Sequence, residues 1–137
     1  MQLFVDSKSR IINSDSFLTK LSPFINKGDI LYIEIDIMSF GKLYNLNITR
    51  NELLECFYDI FKNLVGDKGH ICFPSFSYSW GVDKIEKVFD KNNTPGMVGV
   101  FPEFLRLKNE TFRTKDPMFS VIVIGPQAKE ISNIEKT

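Results

Sequence analysis

"TRNELLECFYDIFKNLVGDKGHICFP", Thr49 to Pro74, decides how this chain folds. Thr49 with Glu52 three residues on is the pattern of a capping box, in which two side chains satisfy N–H groups that no helical carbonyl reaches. Leu53, Leu54, Phe57, Tyr58, Phe61, Leu64 and Val65 then recur at three- and four-residue spacing, so one stripe of the helix is apolar. Gly66 supplies the stop. His70 to Phe73 reads as a short buried strand closed by Pro74. Upstream, Ile30 to Ile35 is a second compact apolar run, with Glu34 as its polar exception. Strand, loop, helix, strand in this order is a βαβ unit, which places two parallel strands side by side. The expected fold class is therefore α/β, a mixed, largely parallel sheet flanked by helices.

Working outward, Leu3-Phe4-Val5 is either a short strand or a tail. From Asp15, the residues Phe17, Leu18, Leu21, Phe24 and Ile25 fall at helical spacing, and Ser22-Pro23 is a cap followed by a first-turn proline. That pair divides the segment into two short helices before Gly28-Asp29. Downstream, Ser75 to Gly96 shows no periodicity. A helix is expected near Val98 to Leu107, a strand at Phe119 to Ile124, and a last short helix near Ala128 to Ile134. An irregular stretch as long as the first of these is more often functional than idle.

The chain of 137 residues has the length of one domain and carries no net charge, with 43% apolar and 25% charged residues. That balance argues against disorder and against a basic nucleic-acid surface. No apolar run approaches the roughly 20 residues a membrane helix needs. The start has no basic stretch leading into an apolar one, so no signal peptide is expected. Cys56 and Cys72 stand alone, far from any metal-ligand spacing, and read as reduced thiols of a cytoplasmic protein. The 13 phenylalanines are a heavy load. Either the core is aromatic, or some rings face a pocket or a partner.

Ligands of open α/β sheets gather outside the carboxyl ends of parallel strands. Three loops approach that edge: Asp36 to Gly41; Pro74 to Gly81 with Tyr78, continuing to Phe89–Gly99 with Asp90 and Thr94; and the polar octet Arg113 to Ser120. Each is either a plain connection or one wall of a site. In the octet, Arg113 has the fork to clamp a phosphate, Asp116 to pair with it, and Ser120 a hydroxyl to donate. Nucleotide-binding glycine loops are absent, as are paired histidines, a CxxC and a Gly-x-Ser-x-Gly. The single histidine, His70, opens a buried strand. No catalytic or metal-binding set is expected from these residues alone.

Taken together, "GDILYIEIDIMSFGKL", "GHICFPSFSYSW", "FDKNNTPGMVGVFPEFLR" and "FRTKDPMFSVIVIG" resemble, in order and spacing, the aminoglycoside 3-N-acetyltransferase family. The resemblance runs from about Gly28 to Gly125 and suggests a branch that works on surface polysaccharides. It implies binding of acetyl-coenzyme A by the loop after the first strand, here Asp36, Ile37 and Ser39, and by the third segment, here Arg113, Phe119 and Ser120. Tyr78, Asp90 and Thr94 then stand near the acceptor, a small-molecule amine on an amino sugar or aminoglycoside-like compound. Glu34 replaces a common family histidine, and Asp116 and Phe119 replace the two histidines of the third segment. Family members are about twice as long, with the histidine that acts as general base in their second half. The resemblance thus implies the N-terminal half of a larger α/β acetyltransferase domain, residues 1–137 forming one partial domain. It would work with a separate C-terminal half or as a homodimer. Two other readings stay open: an inactive remnant or binding module that keeps the coenzyme-side fold, and an unrelated α/β protein with chance similarity.

Overall fold

The computed structural model describes residues 1–78 and 88–133. The decisive stretch folds as read. Helix α2 (Arg50–Val65) is capped by Thr49, whose side chain accepts from the Glu52 N–H while Glu52 reaches back to the Thr49 N–H. (Counting in chain order, α1 is Ser14–Leu21, α3 Val100–Arg106 and α4 Ala128–Ser132.) Strand β3 (Ile30–Tyr32) lies parallel to β5 (His70–Pro74), with Ile30 opposite His70 and Tyr32 opposite Cys72. The βαβ unit is present.

The rest of the sheet corrects the expectation of a largely parallel one. Its order is β3-β5-β7-β6, with β6 at Phe112–Arg113 and β7 at Val121–Ile124. β7 is antiparallel to both β5 and β6. The cause is a hairpin: β6 and β7 are joined by the turn Thr114–Ser120, too short for the crossover that parallel strands require. Two residues of β6 are too few to register as a periodic pattern.

A second sheet, antiparallel and in the order β2-β1-β4, is built from Ile11–Asn13, Gln2–Val5 and Lys42–Leu43. So Leu3-Phe4-Val5 is a strand, not a tail. The first helical segment does divide in two, α1 and a single 3₁₀ turn at Ser22–Phe24. α1 begins at Ser14, one residue before the expected start at Asp15, and is capped by Asn13, whose Oδ1 accepts from the Ser16 N–H.

Alternation along the four-stranded sheet separates two faces. Leu31, Ile71, Phe73, Ile122 and Ile124 point to one and pack with α2 and α3 into the main core. Phe57, fully buried on α2, is its hub, with ring centroids of Phe4, Phe17, Phe40, Phe61 and Phe101 within 5.3–6.5 Å. The phenylalanine load is therefore mostly core, while Phe24 and Phe119 remain exposed. The opposite face carries Cys72, Val123 and Phe112 beneath α4. On β3 that face is bare: Ile30 is 63% and Tyr32 53% exposed.

Candidate functional site

Because β7 runs against β5, it enters the sheet at the edge where β3 and β5 leave it. All three candidate loops therefore meet there. The Ser75 N–H donates to the Ser120 carbonyl at 2.8 Å and the Met97 N–H to the Phe76 carbonyl at 2.7 Å, binding the second loop to the third and to itself.

Two arginines complete this junction from below. Arg113 is buried, and all three guanidinium nitrogens are engaged: Nε donates to Ser120 Oγ at 2.9 Å, Nη1 to the Thr94 carbonyl and Nη2 to the Ser75 carbonyl. Its guanidinium lies over the Phe89 ring, 4.9 Å from the centroid. Burial pushes the Arg113 pKa down to about 10, Arg106 adding to the effect and Glu103 opposing it. Asp116 does not pair with it; its Oδ1 accepts the Met118 and Phe119 N–H groups at 2.8 and 2.6 Å and shapes the turn. The octet is a carboxylate-capped turn above a buried cation that ties three segments together.

The second arginine, Arg106, closes the segment "FDKNNTPGMVGVFPEFLR" and ends α3. Arg106 makes a two-point ion pair with Glu103 and donates through Nη1 to the Asn92 carbonyl at 2.6 Å. Glu103 also accepts the Gly96 N–H at 2.9 Å. Burial works against the charged carboxyl, but Arg106 and the Gly96 N–H outweigh it and hold its pKa below the ordinary value. A carboxyl depressed in the folded state contributes stability that is complete above its ordinary range and is lost as pH falls through the folded value. Glu103→Gln should therefore cost about 1–3 kcal/mol at neutral pH, and urea midpoints of mutant and wild type should converge in acid. A gap that stayed constant with pH would remove Glu103 from this role.

Within the loops, Asp36 accepts the Met38 N–H at 3.0 Å, and its carbonyl accepts the Ser39 hydroxyl at 2.7 Å, closing one 3₁₀ turn at Ile37–Phe40. Asp90 organises another turn, accepting from the Asn92 and Asn93 N–H groups; these bonds hold its pKa below the ordinary value. Tyr78 adopts φ 52°, a left-handed conformation that non-glycine residues rarely take and that clusters at functional sites.

These loops enclose a two-part cleft. One hollow of about 440 Å³ is bordered by Glu34, Asp36, Phe76, Tyr78 and Val98. A second of about 520 Å³ shares Ile35, Asp36 and Val98 with the first and reaches Ile37, Arg50 and Gly99. Of the residues named from sequence, the cleft brings together Asp36, Ile37 and Tyr78. Phe119 stands beside it, its ring 5.4 Å from that of Phe76. Ser39 lies in the adjoining turn. Arg113, Ser120 and Thr94 are gathered behind the cleft, not on its surface, and Asp90 borders a separate hollow with Lys91 and Lys115. Sequence reasoning did not single out Arg50, whose only signal was its place at the start of the capped helix, nor Phe76 and Val98, which lie within the second candidate loop without being named as site residues. Among the described residues no cluster of histidine, cysteine or acidic side chains could hold a metal. No described helix is long and apolar enough to cross a membrane.

The fold and the cleft at its strand ends define an α/β protein of two sheets, one mixed and one antiparallel, and this architecture is found as half of several solved structures. AAC-IIIb in its binary complex with CoASH aligns at TM-score 0.71 and 19% identity, over 91% of this chain and 50% of its own. AAC-VIa bound to sisomicin gives 0.70 and 18%, over 91% and 50%. The YokD protein from Bacillus subtilis gives 0.70 and 17%, over 91% and 54%. No curated protein matches the chain. The aminoglycoside 3-N-acetyltransferase profile matches residues 38–137, and the chain belongs to that family. It spans about half the length of the structures it resembles.

Proposed function

We propose that the chain forms the coenzyme side of an acetyl-coenzyme A-dependent N-acetyltransferase whose acceptor is an amine on an amino sugar or aminoglycoside-like molecule. The observation that carries this reading is the cleft at the carboxyl ends of β3 and β5, in a chain of this family. Its hollows fall within the roughly 300–1,000 Å³ of small-molecule sites, and Arg50 offers a cation suited to a phosphate. AAC-IIIb with CoASH and AAC-VIa with sisomicin support the two ligand classes. When bound, acetyl-coenzyme A supplies the acetyl group: the amine nitrogen's bond to the carbonyl carbon replaces the carbon–sulfur bond, and sulfur leaves with the electron pair.

In this reading the turn at Asp36, Ile37 and Ser39, with Arg50 and Phe119, holds the coenzyme. Arg113 and Ser120 keep that wall in place from behind. Tyr78 faces the acceptor, and Asp90 and Thr94 shape the loop beside it. Residues 1–137 form one partial domain. We assign the base that takes the amine proton to the part of a family-length chain that this one does not cover, supplied by a separate half. A surface-polysaccharide amino sugar is the acceptor suggested by the sequence branch. A cytoplasmic location goes with the reading, since Cys56 and Cys72 are both free thiols.

Calorimetric titration with coenzyme A is the test. Saturable binding is expected, weakened about tenfold or more by Arg50→Ala or Phe119→Ala, a loss of about 1.4 kcal/mol. Binding without acetyl transfer after the other half is added would favour the binding-module reading. A folded chain that binds no coenzyme would end the proposal.

A further inference from the structure

The two hollows of the cleft differ in charge. The second has Arg50 in its wall, whereas the described residues bordering the first include two carboxylates, Glu34 and Asp36, and no cation. Asp36 is already engaged, since its Oδ1 accepts the Met38 N–H at the start of the turn Ile37–Phe40. Glu34 is exposed. The ion pairs among the described residues, Arg10–Asp6, Arg106–Glu103 and Lys108–Glu55, leave it out.

The same hollow is bordered by two rings. Phe76 and Tyr78 meet edge to face, with centroids 6.1 Å and planes 81° apart. Aromatic walls of this kind cover the apolar C–H face of a sugar, and their π faces attract a cation. Rings beside a carboxylate that no cation neutralises suit a sugar bearing an ammonium.

The chemistry of transfer decides which amine Glu34 serves. An amine attacks the thioester only after losing its proton, and a nearby carboxylate holds an amine in its charged form. Glu34 is therefore suited to an ammonium that does not react.

We propose that Glu34 is a specificity-determining residue of the first hollow, selecting an acceptor sugar with two amino groups, of which one reacts and the other stays an ammonium against the Glu34 carboxylate. The inference rests on the acceptor reading of the cleft and narrows its substrate class. Transfer itself is unchanged: the reacting nitrogen bonds to the carbonyl carbon, the carbon–sulfur bond breaks, and that amine's proton goes to the base. The second amine keeps its proton throughout.

The experiment is titration of the purified chain, saturated with coenzyme A, with two sugars at neutral pH. One is glucose; the other is glucosamine with a further amino group in place of its primary hydroxyl. The diamino sugar should bind about fivefold or more tightly than glucose, and added salt should shrink the ratio. Glu34→Gln keeps the shape without the charge, and the ratio should fall towards unity. Glu130→Gln makes the same change on α4, outside both hollows, and should leave the ratio as in wild type. With the diamino sugar isotopically labelled at both nitrogens, magnetic resonance should show one nitrogen keeping its proton to higher pH when bound than when free, and the other unshifted. In Glu34→Gln neither should shift. A diamino sugar that binds no tighter than glucose overturns the inference and leaves the coenzyme site standing. A ratio that survives in folded Glu34→Gln, or two nitrogens that shift alike, also overturns it. If coenzyme A itself does not bind, the cleft reading falls, and this inference with it.

Discussion

Phe57→Ala should lower the unfolding free energy by about 3–5 kcal/mol, the usual cost of deleting a buried ring. The ring is fully buried and meets five others, from β1, α1, the 3₁₀ turn at Ile37–Phe40, α2 itself and α3. No single neighbour can collapse into the space, because each is held by a different element. A domain of this size has roughly 5–15 kcal/mol in all, so the variant should unfold at a much lower urea concentration than wild type. Phe24→Ala is the internal control: Phe24 is 82% exposed and its loss should lie within about 0.5 kcal/mol of zero. If the two variants unfolded alike, the aromatic hub would not be the centre of the core.

Arg113→Ala should cost a similar amount by a different route. Removing the guanidinium strands the Thr94 carbonyl and takes one partner from the Ser75 carbonyl and from Ser120 Oγ. Each buried polar group left unsatisfied costs about 1–3 kcal/mol, and bonds to a charged donor lie at the upper end. A total near 3–5 kcal/mol is expected, as when one partner of a buried charged network is removed. The damage should be local first. Ser75 and Met97 donate the N–H groups that join the second loop to the third and to itself, and their hydrogen exchange should quicken before global unfolding does. Lysine should not rescue the variant, since one ammonium cannot reach three acceptors set by a planar fork. Unchanged exchange at both amides would show that the loops are held by something else.

These two residues mark what the sequence could and could not disclose. Phe57 sits on a helix announced by its own neighbours: Thr49 and Glu52 cap it, the apolar stripe is periodic, and Gly66 ends it, all within a few turns. The same local logic exposed β5 and the parallel pairing with β3. Arg113 could be noticed but not interpreted. Its partners lie at Ser75, Thr94 and Ser120, and only the third is close in sequence. An arginine before a strand looks the same whether it faces a phosphate or three loop carbonyls. Strands such as Lys42–Leu43 and Phe112–Arg113 left no pattern because they are defined by the partner they meet. Asp36 and Tyr78 were nameable because their loops follow strands; Arg50 and Val98 join them through packing that spacing does not encode.

The outer rim of β3 bears on how the molecule behaves in company. Ile33 donates to the Cys72 carbonyl, so the alternate residues Ile30 and Tyr32 turn their N–H and C=O groups away from β5. Natural sheets blunt such a rim with lysine, proline or a bulge. From Ile30 to Ile35 there is neither lysine nor proline, and Glu34 is the one charge. The rim is therefore a template on which a further strand can be laid, whether from more of a family-length polypeptide or from a second copy. At high concentration, strand addition at this uncapped edge is the expected route of self-association.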